Sequence, residues 1–155
     1  MAVKIRPMSA GDMAQVLALY REFYGEMAAL APKYVQKAEQ DEGYLRAVCE
    51  SDEDEVFVAE CDGTVVGVMV LQSQETPPYD NMVFYRYGCL MDIMVAPQYR
   101  SKGIGKGLLD AAKSWCREQQ LSYLELEVLK SNKRAMEFYL REGFLEETVT
   151  MRMGI

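Results

Sequence analysis

With 155 residues, half of them apolar and about a quarter charged, the chain has the size and apolar content of one globular domain with a buried core. Its formal charge of −7 argues against nucleic acid as a partner, and no apolar run approaches the roughly 20 residues that span a bilayer. The absence of histidine removes the usual general base, the Ser–His and Cys–His nucleophile systems and nearly every catalytic zinc site; it leaves carboxylates, tyrosine, lysine and backbone dipoles.

Val3-Lys4-Ile5-Arg6 alternates as a short strand ended by Pro7. Ser9-Ala10-Gly11-Asp12 then has the form of a capping box. Met13, Val16, Leu17, Tyr20, Phe23, Tyr24 and Met27 fall at the spacing of one helical face. A loop over 28–37, with Pro32, leads to a second helix over 38–50 whose inner face is Tyr44, Leu45, Val48 and Cys49. Val56 to Cys61 and Val65 to Leu71 are strands joined at Asp62-Gly63, a tight hairpin signal. A polar loop over 73–81 precedes the longest strand candidate, Met82 to Val95, with Gly88 as its expected bulge.

Beyond a glycine-rich turn, Ile104, Leu108, Ala111, Ala112 and Trp115 mark the inner face of a helix reaching Gln120. Leu124, Leu126 and Val128 alternate with Glu125 and Glu127 in another strand. Asn132 opens a helix closed near Arg141 by Gly143, and Glu147 to Met153 is expected as a final strand. The four cysteines sit in apolar patterns with no C-x-x-C pair and are expected as free buried thiols. No linker or repeat interrupts the chain, so residues 1–155 are expected to form a single mixed α/β domain. The N-terminus carries no signal-peptide pattern, so the expected compartment is the cytoplasm.

The turn itself, Val95 to Leu109, runs from an apolar strand into a helix through Arg100, Lys102, Gly103, Gly105, Lys106 and Gly107. Such a turn cradles a phosphate, because free N–H groups and the positive end of the helix dipole converge there. A Walker A loop does not fit, and the dinucleotide fingerprint fails because Leu108 stands where its third glycine belongs.

Arg100-Ser101-Lys102-Gly103-Ile104-Gly105 does match R/Q-x-x-G-x-G/A, the signature of the GCN5-related N-acetyltransferases. With IRPMSAGD, VFVAECDGTVVGVMV, LMDIMVAPQYR and NKRAMEFYLREGF in order, the chain resembles that superfamily over nearly its whole length. The resemblance implies a mixed, mostly antiparallel twisted sheet of about six to seven strands, flanked by about four helices and splayed at the coenzyme A site. It implies acetyl-coenzyme A as co-substrate, with no metal, and an amine on a small molecule or peptide as acceptor. The turn residues Arg100, Ser101, Lys102, Gly103, Ile104, Gly105 and Lys106 would hold the pyrophosphate. The main chain of Ile93, Met94 and Val95 would pair with the pantetheine arm, and Asn132 would cap its helix and contact the coenzyme.

Acyl transfer from a thioester to an amine needs a proton acceptor for the amine and a proton donor for the thiolate. Tyr139, in N-x-x-A-x-x-x-Y, matches the family's acid. For the base, Asp92 and Glu125 lead and Glu127 is a third candidate. The same fold without activity would be a coenzyme A-binding sensor module. A homodimer through the C-terminal TVTMRM is a further partner that the family allows.

Overall fold

The computed structural model describes residues 1–155. Five strands, β1 (Val3–Pro7), β2 (Glu55–Cys61), β3 (Thr64–Glu75), β4 (Arg86–Val95) and β5 (Leu124–Glu125), lie in one sheet in that order. The first four are mutually antiparallel and β5 runs parallel to β4. Helices α1 (Met13–Leu30) and α2 (Glu42–Glu50) cover one face; α3 (Ile104–Glu118) and α4 (Lys133–Arg141) pack on the other. Two cores result. Val16, Tyr20, Leu45, Val58, Val68 and Met94 fill the α1/α2 side, while Met69, Leu90, Leu108, Leu109 and Trp115 fill the α3 side. No helix is long and apolar enough to cross a membrane.

Several local rules decide where the elements stop. Asp62 and Gly63 both have positive φ (49° and 79°), the conformation that lets a two-residue turn follow the twist of the β2–β3 hairpin. The Asp41 carboxylate accepts the Gly43 N–H at 2.8 Å, so α2 starts at Glu42 rather than at Ala38. β4 starts at Arg86; Met82 to Tyr85 stay exposed and outside the strand, with Tyr85 N–H donating to Thr76 Oγ1 at 2.6 Å and its carbonyl accepting the Thr76 N–H at 3.0 Å. Gly88 is not a bulge: a Cβ there would lie 2.9 Å from Cys116 Sγ, so it is the gap into which α3 fits. The bulge is at Met91, between the pairs Leu71↔Leu90 and Val70↔Asp92.

The sheet has five strands rather than six or seven. Residues 126–128 leave the sheet after Glu125, and the expected strand over 147–153 does not form. A β-strand is stable only beside another strand, and the two-residue β5 offers almost no ladder to extend. Val149, Met151 and Met153 are accordingly 80%, 89% and 84% exposed. Cys61 and Cys116 are buried and Cys89 is half-buried, but Cys49 is exposed; it lies on the outer side of α2, whose buried stripe is Leu45 and Val48.

Arg6 ties β1 to the start of α1. It donates to Asp12 at 2.7 and 2.9 Å and to Glu60 at 2.8 Å, and Asp12 also accepts the Ser9 N–H at 2.8 Å. Arg6 holds the Asp12 carboxyl down at about 2, against opposing burial. A carboxyl depressed in the folded state stabilises above its unfolded value, and that stabilisation disappears as pH falls through about 2. Asp12→Asn is therefore expected to lower the unfolding free energy by about 2 kcal/mol at pH 7 and by far less near pH 2. Urea denaturation at the two pH values measures this; equal losses at both would mean that the ion pair is not the source.

Candidate functional site

The turn between β4 and α3 is the first component. After a 3-10 turn at Pro97–Tyr99 the chain passes through Ser101 (φ 61°) and Gly103 (φ 83°), the residue that caps α3. The first backbone bond into the helix runs from Gly107 N–H to the Gly103 carbonyl at 3.0 Å, so no backbone acceptor in the protein takes the N–H groups of residues 101 to 106. Such a row of free donors at a helix N-terminus is an anion-binding concavity. Each glycine has its own reason. Gly103 needs a left-handed backbone, which a side chain strains. A Cβ on Gly105 would sit 3.2 Å from the Phe138 ring of α4, and one on Gly107 would sit 2.6 Å from Ile5 Cδ1. The last two glycines let helices and sheet approach; they do not clear space for a ligand.

The three cations of the turn differ in their partners. Arg100 Nε donates to the Val95 carbonyl at 2.8 Å, and its Nη2 reaches both oxygens of Glu26 at 2.8 and 2.9 Å. It thus fastens the turn to α1 and already has a counter-charge. Lys102 Nζ donates to the Gln98 carbonyl at 3.2 Å and lies over the Tyr99 ring. Lys106 pairs with Asp110 at 3.0 Å on the exposed face of α3, an ion pair weak enough to exchange for a phosphate.

The second component is an open strand edge. β5 pairs with β4 only at Gly88↔Leu124 and Cys89↔Glu125, so from Leu90 to Val95 no strand lies along that edge. Ile93, Met94 and Val95 fall within this stretch. Met94 is buried in the α1/α2 core, while Ile93 and Val95 pack on the α3 side. Ala96 N–H donates to the Val66 carbonyl at 2.8 Å, so by antiparallel alternation the main chain of Met94 also faces β3; with the Val95 carbonyl occupied by Arg100, the polar main chain left for an extended ligand is that of Ile93 and the Val95 N–H. Past the opening, Asn132 caps α4 by accepting the Ala135 N–H at 3.3 Å and approaches Met27 Sδ of α1 at 3.9 Å. That contact ties the two helices across the end of the sheet.

Asp92 and Tyr139 form the third component. The bulge at Met91 puts Asp92 on the α1/α2 face, where its Oδ2 accepts the Tyr20 hydroxyl at 2.8 Å. Burial raises its carboxyl above the ordinary range, and the Tyr20 bond partly opposes this. Tyr139 packs against Phe138 and Phe144; burial first, and the Asp92 charge second, push its phenol up to about 12. Neither the Tyr139 hydroxyl nor Asp92 Oδ1 has a hydrogen-bond partner in the protein, and neither is sealed from solvent.

Glu125 lies elsewhere on the same face, exposed beside Cys89. It stands next to Tyr123, whose ring stacks on Tyr87 at 4.9 Å and meets Tyr85 edge-on at 5.5 Å. Glu127 lies past the end of β5 and is also exposed. Of the three carboxylates, only Asp92 is desolvated and hydrogen-bonded. Tyr20 was not among the sequence-derived candidates, because its position in the α1 stripe reads as core. The available signal was its type: a buried tyrosine in an aliphatic stripe needs a partner for its hydroxyl.

Residues 13–144 match the model of the acetyltransferase (GNAT) family. YhfO of Bacillus subtilis, a protein named as an uncharacterized N-acetyltransferase, is 30% identical over 149 residues, covering 94% of this chain and 92% of its own length. A crystal structure of a Bacillus halodurans protein superposes with a TM-score of 0.92 at 21% identity, over 98% of this chain and 99% of that one. An aminoglycoside N-acetyltransferase solved with coenzyme A superposes with a TM-score of 0.76 at 18% identity, over 99% and 95%. At these identities the two structures show a shared fold.

Proposed function

Because the chain belongs to the acetyltransferase (GNAT) family and is an acetyl-coenzyme A-dependent acyltransferase, we propose that it acetylates a primary amine of a small molecule or peptide by direct attack in a ternary complex. Bound acetyl-coenzyme A supplies an activated acetyl thioester whose sulfur leaves as a thiolate. The turn fits the donor's pyrophosphate through the free N–H groups of residues 101 to 106, with Lys102 and Lys106 adding charge. The open edge at Ile93 and Val95 suits an extended arm that pairs with main chain.

The observation that carries this reading is that Asp92, on the unpaired stretch of β4, and Tyr139, on α4, each keep an oxygen free of protein partners. An alkylammonium has a pKa of about 10 and is unreactive until it loses a proton. Asp92 takes that proton on Oδ1, its buried and raised carboxyl making it a better base than an exposed one. Tyr139 is protonated at neutral pH and donates to the departing sulfur. Glu125, being exposed, is better placed to attract a cationic acceptor than to take its proton.

The test is a panel of polyamines, amino acids, aminoglycosides and peptides with free N-termini, each mixed with acetyl-coenzyme A and read by release of free thiol. At least one class is expected to turn over with saturable kinetics in both substrates. Tight coenzyme A binding with no acceptor consumed by any class would make the chain a binding module instead.

A further inference from the structure

Tyr20 sits mid-way along α1 with its side chain fully buried beside Val16, Leu45 and Val68. Phenylalanine would fill the same space, so the hydroxyl is the part that needs a reason. That hydroxyl donates to Asp92 Oδ2 at 2.8 Å, joining α1 to the bulged segment of β4. The phenols whose ionisation the charge of this carboxylate opposes are Tyr20 and Tyr24 from α1, Tyr44 from α2 and Tyr139 from α4. Gln40, just ahead of α2, approaches the Tyr20 hydroxyl, and the cross-strand neighbour on β3 is the apolar Val70. No lysine or arginine pairs with Asp92, and of the four phenols only Tyr20 is hydrogen-bonded to it. One neutral hydroxyl therefore does what a cation does at most buried carboxylates.

We infer that Tyr20 is a positioning residue for the transfer reaction: its hydroxyl fixes the Asp92 carboxylate through Oδ2, leaves Oδ1 free, and stabilises the negative charge that receives the amine proton. The inference rests on Asp92 being the base. A buried carboxylate next to the bulge without this bond has neither oxygen held in place and a stronger tendency to keep its proton. Loss of the Tyr20 hydroxyl thus favours the protonated form of Asp92 and delays, on the pH axis, the appearance of an active base.

Two titrations on the intact protein test this in the wild type, Tyr20→Phe and Asp92→Asn. NMR follows the carboxyl carbon of Asp92, and kcat/KM is measured with the fastest amine of the acceptor panel. In Tyr20→Phe the carboxyl midpoint and the acidic limb of kcat/KM are expected to move up together by roughly 1 to 2 pH units, with the rate recovering at high pH. A tyrosine that only fills space would lower the rate at every pH and leave both midpoints where they were. An unmoved carboxyl midpoint overturns the inference, and leaves Asp92 as the base where Asp92→Asn has lost the limb. A limb that survives in Asp92→Asn defeats the base itself, and the inference with it. If Tyr20→Phe does not fold, the Tyr20 hydroxyl proton of the wild type decides. A slowly exchanging resonance that disappears as Asp92 is protonated upholds the inference; free exchange at every pH overturns it.

Discussion

Asp92→Asn is expected to lower kcat/KM by about 10²- to 10⁴-fold, the usual contribution of a placed general base, and to make the protein more stable at pH 7. The two effects have one cause. Burial raises the Asp92 carboxyl, so the folded state prefers the protonated form more than the unfolded chain does. For a raised carboxyl the sign is opposite to that for Asp12. Its ionisation costs stability once pH exceeds the unfolded value, and the full cost is present above the folded value. Asparagine is neutral, nearly the same shape, and still presents an oxygen to the Tyr20 hydroxyl. The variant should therefore melt above the wild type at neutral pH, with the gap closing near pH 3. Calorimetry across pH, alongside the rate, decides the matter. A variant that is both inactive and less stable would mean that Asp92 holds the fold together and that its effect on rate is indirect.

Much of this site was readable in the sequence because it depends on short-range rules. The turn at 95–109 has glycines whose positions follow from one positive φ and two close approaches, and the hairpin at Asp62-Gly63 follows from turn chemistry alone. What escaped depends on neighbours distant in sequence. Arg100 reads as a phosphate ligand until Glu26, on a helix 74 residues earlier, is seen to claim it. Tyr20 and Asp92 are 72 residues apart and meet only because a bulge at Met91 turns the strand. The strand expected at 147–153 has the right alternation but no edge to join, so its pattern alone misleads.

Tyr139→Phe is expected to lower kcat about 10²-fold with acetyl-coenzyme A, and to leave the KM for the amine nearly unchanged, since the ring that packs between Phe138 and Phe144 remains. A phenol at about 12 is a poor donor to an alkyl thiolate whose conjugate acid lies near 8.5. The mismatch opposes full transfer of the proton before the carbon–sulfur bond has begun to break. The smaller part of that elevation comes from the Asp92 charge. Burial, the larger cause of the raise, is the same whichever way Asp92 is charged, so the proposed role of the hydroxyl is partial proton donation as the sulfur departs. The dependence on leaving group tests this. With an aryl thioester, whose thiol is more acidic and needs no proton to depart, the penalty of Tyr139→Phe should shrink to nearly none. A penalty of the same size with alkyl and aryl donors would show that the hydroxyl shapes the cleft and passes no proton to sulfur.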